Sequence, residues 1–444
     1  MVVPSLTRRA FLAGGAASLL SGPAAAETAA VHSAAAFADS VGVNTHLSTE
    51  PYASRFELVR DLLGAAGIRH VRDELRPSNN LGHWRELFER HGIRSDLLVS
   101  PATNTVRQMQ DYLEALGPEK VSAIEGQNEG DSDWFKSQWA AHGDWSAAVI
   151  AYQREVFEAL RPRYPEAVLP ILSPTVLDWK PDDAEAIRDA ARFCDIVAIH
   201  SYAQHGEEPE TDAPYSALSW YLRNIRDRLK PGAPVMATET GYNTLLHPGG
   251  AGVSEAAAAA YIPRLLLNNF AAGIRRTFLY EFLDEGGSPA DMEQHWGLVR
   301  YDGTPKPAYH ALAALLGVLS GEESVSPSAP APAAALHEAP ADARMLQFRK
   351  ADGSTVAAIW RAVRCWDPAA ARDIPVEPRP LTIALERPGR RAAFAMPGEP
   401  KGDAAWMELP DTGPEKGPAW MELPVADGAV TVHAGAKVVL VRLT

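Results

Sequence analysis

The 444-residue chain has only two cysteines, Cys194 and Cys365, so it is no disulfide-built scaffold. No stretch beyond the N-terminal segment approaches the ~18 continuous apolar residues that a membrane helix needs. Excess positive charge is missing as well. Against 42 Lys and Arg stand 56 Asp and Glu, and a surface of that sign repels phosphate backbones, which excludes a nucleic-acid partner. There is no Gly-rich phosphate loop after the first strand-like run, where the chain reads Leu47-Ser48-Thr49-Glu50-Pro51, and no P-loop elsewhere. The spacings of a zinc site and of a serine-hydrolase elbow are also missing. These gaps leave a soluble enzyme or binding protein with no metal and no cofactor. Apolar residues at 46% and charged residues at 22% are ordinary globular usage, which excludes disorder and coiled coil.

What is present begins with Thr7-Arg8-Arg9-Ala10-Phe11-Leu12, a weakly apolar run to Leu20, and Gly22-Pro23-Ala24-Ala25-Ala26. This resembles a twin-arginine export signal with a small-residue cleavage site, so residues 1–26 are expected to be removed and the mature protein to be periplasmic or secreted. Residues 24–35 span and follow that site and are expected to be disordered or extended. Cys194 precedes a strand-like apolar run, and the two thiols are expected to remain free although export would permit a bond.

From about 40 to 320, short Val- and Ile-rich runs alternate with helical patterns. Strands are predicted at 40–46, 68–73, 94–100, 120–126, 168–173, 195–200, 234–239 and 275–282. Phe56, Leu58, Val59, Leu62 and Leu63 are spaced for one helix face, as are Val149, Tyr152, Val156, Phe157 and Leu160. Gly67, Gly92, Gly117 and Gly232 punctuate helix ends. Eight strand–helix units in this length predict an α/β fold, a (β/α)8 TIM barrel over 40–320. Residues 27–39 are an N-terminal segment. Ser326 to Pro340 reads as a linker, and the short strand-like runs that follow predict a smaller β-sandwich-like domain over 325–444. Within it Ala405-Trp406-Met407-Glu408-Leu409-Pro410 recurs as Ala419 to Pro424, a local duplication in a loop or hairpin; a sugar-binding hairpin carrying Trp406 and Trp420 is the alternative.

Barrel enzymes place their chemistry at the C-terminal ends of strands. The fourth predicted strand runs into Glu125-Gly126-Gln127-Asn128-Glu129, the seventh ends in Thr238-Glu239-Thr240, the sixth in His200-Ser201-Tyr202, the second carries Arg72, and the first ends in Asn44-Thr45-His46. Solubility alone accounts for any one polar strand end, but poorly for a Glu ending both the fourth and the seventh. Asn128-Glu129 with Glu239, His200-x-Tyr202 and Arg72 resemble the site of the clan A glycoside hydrolases. With the trailing β-domain, the chain is similar to glycoside hydrolase family 39. One departure stands out: the eighth strand reads Tyr280-Glu281-Phe282, where many clan members have a Trp, and Trp296 lies beyond it.

The resemblance implies an exported, monomeric, retaining hydrolase of β-glycosidic bonds in an oligo- or polysaccharide. In it Glu239 is the nucleophile, Glu129 the acid/base, Asn128 a contact to the sugar 2-hydroxyl, and Arg72, His200 and Tyr202 substrate-site residues. His46 and Trp296, with Trp134 and Trp179, are further candidates for substrate recognition. Retention requires carboxyls ~5–5.5 Å apart, whereas separations beyond ~6.5 Å mean inversion. A non-catalytic carbohydrate-binding barrel and a glycan-remodelling transglycosylase are the alternatives. Glu281 with Asp284 is a rival carboxylate pair, Glu125 is expected inside the barrel, and Trp134, Trp139 and Trp145 line a cleft or pack locally.

Overall fold

The computed structural model describes residues 30–76, 81–139, 143–177, 180–247, 250–320, 334–385, 392–395 and 421–443. The export signal, Trp179, Trp406 and Trp420 lie outside the described residues. Eight strands form one parallel sheet: β1 (Val41–Asn44), β2 (His70–Glu74), β3 (Arg94–Leu98), β4 (Val121–Glu125), β5 (Ile171–Leu172), β6 (Val197–His200), β7 (Val235–Thr240) and β8 (Thr277–Leu279). Their order, β5-β4-β3-β2-β1-β8-β7-β6, is closed by a parallel bridge from Leu172 to Ile196. Each strand falls within or against its predicted run, because parallel strands buried on both faces read as continuous apolar stretches.

The helices that follow the strands pack one apolar stripe inward. In Val106–Leu116, Met109, Leu113 and Leu116 are buried, and a reciprocal Thr105–Gln108 capping box starts the helix. Phe56, Val59 and Leu63 are buried as their spacing predicts, whereas Leu58 is turned outward, about 100° round the helix from Val59.

The β-domain is a sandwich of two sheets. One is ordered Val31–Ser33, Ala343–Arg349, Thr355–Arg361, Val439–Leu443, Ala392–Ala395 and Met421–Leu423; the other Ala334–His337, Arg379–Leu385 and Ala429–Ala434. Strand Thr355–Arg361 is buried along its whole length, and the two-residue strand period divides it. Ala357 and Ile359 join the cluster between the sheets, while Val356, Ala358 and Trp360 join the core shared with the barrel. Among the described N-terminal residues the extended alternative holds at Val31–Ser33 and fails from Ala34. Val31–Ser33 is extended but paired parallel to Gln347–Arg349, and a helix begins at Ala34, capped by the Ser33 side chain and anchored by buried Phe37 and Ala38. Met421–Leu423, from the second copy of the duplicated segment, forms an edge strand. Cys194 and Cys365 are both free thiols.

Part of the barrel interior is charged. Asp96 on β3 is fully buried, and neither carboxylate oxygen has a hydrogen-bond partner. Burial first, then the charge of Glu125, push its pKa to about 8, outweighing Arg72 and Arg276. A carboxyl whose pKa rises on folding stays protonated while the unfolded chain ionises, so its contribution to stability falls as pH climbs from about 4 to about 8. Asp96→Asn is therefore expected to raise the melting temperature over wild type more at about pH 8 than at about pH 5. An equal shift at the two values would show that Asp96 does not titrate in that window.

Candidate active site

The cleft lies at the C-terminal ends of the strands, and the Arg72 side chain organises it. From β2 its Nε and Nη2 bond both oxygens of Glu125 at 2.7 and 3.0 Å. Nη1 donates to Asn44 Oδ1 at 2.8 Å and to Glu239 Oε1 at 2.7 Å, and Nη2 to Asn128 Oδ1 at 2.7 Å. One planar cation thus joins side chains from the ends of β1, β4 and β7. Asn44 returns a bond from its amide to the Thr238 carbonyl at 3.1 Å, which fastens β1 to β7 across the site.

Glu239 is nearly buried. Its Oε2 accepts from the Tyr202 hydroxyl at 3.0 Å. Burial alone would raise its pKa, but His200, Arg72 and Tyr202 outweigh burial and hold the carboxyl below its ordinary value. Glu129 sits on the turn after β4 with φ 40°, a left-handed conformation that costs a non-glycine residue ~1–3 kcal/mol. Thr175, just beyond β5, secures that turn. Its hydroxyl accepts the Glu129 N–H at 2.9 Å, its carbonyl accepts from Gly130 at 3.3 Å, and its N–H donates to the Gln127 carbonyl at 3.0 Å. Gly126 is required beside this turn, since a Cβ there would lie 2.8 Å from the Pro174 nitrogen.

His200 stands between the two glutamates. Its Nδ1 is 2.8 Å from Glu129 Oε1 and 3.6 Å from Glu239 Oε2, and one oxygen from each carboxylate lies within 4.8 Å of the other. Burial pushes the imidazole down, but the charges of Glu239 and Glu129 and the bond to Glu129 outweigh it and hold its pKa above the ordinary value. The buried imidazole is thereby stabilised as a cation that donates from Nδ1.

Other candidates fall into two groups. Tyr202 packs edge-on to Trp296, with ring centres 5.2 Å apart, and Trp296 is 6.1 Å from Tyr280. An aromatic from the loop beyond β8 thus stands beside the strand end where Trp is missing. His46 lies at the same rim, 5.8 Å from Tyr280. Trp139 and Trp145 pack locally, Trp139 stacking on Phe135 at 5.7 Å, whereas Trp134 is 57% exposed. The rival pair does not act together: Asp284 is held by Lys306 at 2.8 Å and by the Gly297 N–H at 2.7 Å, and Glu281 by Tyr52 at 2.9 Å. Glu125 is fully buried beneath Arg72, as expected of a barrel-interior residue. Sequence reasoning missed Thr175 altogether, and it noted Asn44 without assigning it a role.

No family model matches the sequence, and no curated protein matches it either. Solved structures do match. A monomeric beta-xylosidase from Caulobacter crescentus CB15 aligns over 94% of this chain and 97% of its own, with 15% identity and a TM-score of 0.59. A family 39 glycoside hydrolase from the gut symbiont Bacteroides cellulosilyticus WH2 aligns over 92% and 82%, with 16% identity and a TM-score of 0.57. A glucosidase from Croceicoccus marinus aligns over 91% and 95%, with 12% identity and a TM-score of 0.58. What they share with this chain is the fold. It is a (β/α)8 barrel with a β-domain, as the resemblance to clan A implied.

Removing one partner of a buried ion pair strands the other charge, at a cost of ~3–5 kcal/mol. Arg72→Met is expected to lose that much unfolding free energy in urea denaturation. Arg72→Met with Glu125→Leu should recover most of it, and a double variant no more stable than the single would show that the pair does not carry the loss.

Proposed function

We propose that the chain is a retaining glycoside hydrolase acting on β-linked oligo- or polysaccharide, exported through its twin-arginine segment and active as a monomer. The observation that carries the proposal is the facing of Glu129 and Glu239 across His200, with carboxylate oxygens within 4.8 Å. Two carboxylates that share one imidazole nitrogen, at 2.8 and 3.6 Å, are near neighbours, which favours the retaining arrangement.

Glu239, held ionised by Arg72, His200 and Tyr202, attacks the anomeric carbon, and the glycosidic C–O bond breaks through an oxocarbenium-like transition state. Glu129 gives its proton to the departing oxygen. It then takes one from the water that releases the sugar from Glu239. His200, bonded to Glu129 through Nδ1, orients that carboxyl and couples its proton to the charge of Glu239. Asn128 has its Oδ1 occupied by Arg72, so its amide N–H groups are what it offers to the sugar 2-hydroxyl. Trp296 and Tyr202 supply an aromatic wall against which a pyranose ring stacks.

The test separates the two carboxylates. On an aryl β-glycoside, Glu239→Ala should abolish turnover, and added azide should yield the α-glycosyl azide. Glu129→Ala should lose ~10²–10⁴-fold on substrates with poor leaving groups, spare the first step on nitrophenyl glycosides, and give the β-azide. Azide products of the opposite configuration would exchange the two roles, and full activity in both variants would overturn the proposal.

The pH profile gives an independent check. The Tyr202 hydroxyl stabilises the Glu239 carboxylate, so removing it raises the carboxyl pKa. Tyr202→Phe is expected to move the acid limb of kcat/KM to higher pH. A limb that stayed in place would mean that another group sets it.

A further inference from the structure

A second cluster at the rim is not used by this chemistry. His46 follows β1, and Glu281 and Glu285 follow the neighbouring β8. Nε2 of His46 lies 3.5 Å from Glu281 Oε2 and 3.9 Å from Glu285 Oε1, and one ligand atom from each of the three falls within 4.8 Å of the others. Glu281 is completely buried. Its Oε1 and the His46 Nε2 have no hydrogen-bond partner, and among the described residues no Lys or Arg pairs with Glu281 or Glu285. Buried polar atoms left unpaired are uncommon, and three groups able to accept, facing one another, are satisfied together by a cation.

The cluster is also held in place. The Tyr52 hydroxyl donates to Glu281 Oε2 at 2.9 Å and is itself fixed by the Leu283 N–H at 2.8 Å. The His46 ring sits edge-on between Tyr52 at 5.7 Å and Tyr280 at 5.8 Å. Such outer contacts orient metal ligands. Separations decide which cation fits. At metal–ligand distances of ~2.0–2.2 Å, tetrahedral ligands stand ~3.3–3.6 Å apart, near the 3.5 and 3.9 Å found here. An ammonium bonding three acceptors at ~2.9 Å would spread them to ~4.7 Å. The other histidine–carboxylate group, around His200, differs in having a cation in contact, Arg72 on Glu239 at 2.7 Å.

We propose that His46, Glu281 and Glu285 bind a divalent cation of the zinc or manganese class, which imidazole and carboxylate together suit. Three protein ligands leave coordination positions for water or for ligand hydroxyls at the rim of the cleft. The sequence carries no metal signature for it because the ligands come from two strand ends far apart in the chain. The proposal does not depend on the glycosidase reading.

The test is calorimetric titration of metal-stripped protein with zinc chloride and, separately, manganese chloride. Expected is one saturable site per chain. Glu285→Gln and Glu281→Gln should each weaken it by at least the ~10–100-fold that losing an outer contact costs. Glu239→Gln should leave the affinity unchanged. Glu285 is partly exposed, so its variant keeps the test open if Glu281→Gln fails to fold. Crystals grown with zinc should show an anomalous peak within ~2.3 Å of all three side chains. Absence of saturable heat, affinity indifferent to Glu285→Gln, or affinity lost in Glu239→Gln would each overturn the assignment.

Discussion

The guanidinium of Arg72 is the constraint on which the rest of the site depends. Its flat array of donors meets Glu125, Asn44, Asn128 and Glu239 at once, and these come from the ends of three different strands. A lysine ammonium, a compact point charge on a flexible stem, could not hold four partners in one plane. The barrel makes this possible because strands β1, β2, β4 and β7 converge at one end. Fixed in this way, Arg72 sets where the Glu239 carboxylate sits and which face Asn128 presents. Glu125 pairs with it from below with both oxygens, so that most of the cation's charge is balanced before Glu239 is reached.

The two glutamates consequently meet different environments. Glu239 receives hydrogen bonds from both Arg72 and Tyr202, and its side chain is 11% exposed. Glu129 is bonded through its carboxylate to His200, is 24% exposed, and rides on a left-handed turn rather than on a strand. A carboxyl with two fixed donors favours its ionised form. This asymmetry arises from backbone placement, because the side chains themselves are chemically identical.

What the sequence made legible, and what it did not, follows the same division. Buried parallel strands advertise themselves as apolar runs, so all eight barrel strands could be read. The strand ends then pointed to Arg72, Glu129, His200, Tyr202 and Glu239. Thr175 left no trace, because its contribution is a hydroxyl and two backbone groups presented to a turn far away in sequence. The left-handed backbone of Glu129 was equally silent, since glutamate does not announce it as glycine would. The pairing of Val31–Ser33 went unread for a related reason. Three residues have no pattern of their own, and what orders them is a partner strand more than 300 positions further along the chain.

That distant pairing bears on how the barrel is stabilised. Val31–Ser33 and the C-terminal strands lie in one sheet, and alternate residues of Thr355–Arg361 face the barrel and the sandwich in turn. Across this contact Arg264, on the helix Glu255–Ala271 that leads into β8, is fully buried. It pairs with Glu210 and donates to the carbonyls of Val363 at 3.0 Å and Ala436 at 3.3 Å, while Trp360 Nε1 donates to the same glutamate at 2.8 Å. The Arg264–Glu210 pair stays within the barrel, but parting the domains would strip it of the Val363 and Ala436 carbonyls and the Trp360 N–H, so separation is opposed by lost hydrogen bonds to charged groups as well as by apolar area. The helix held in this way delivers β8, and with it Tyr280 and Glu281, to the rim of the cleft. The β-domain is thereby tied, through Arg264, to the helix that precedes the barrel's last strand.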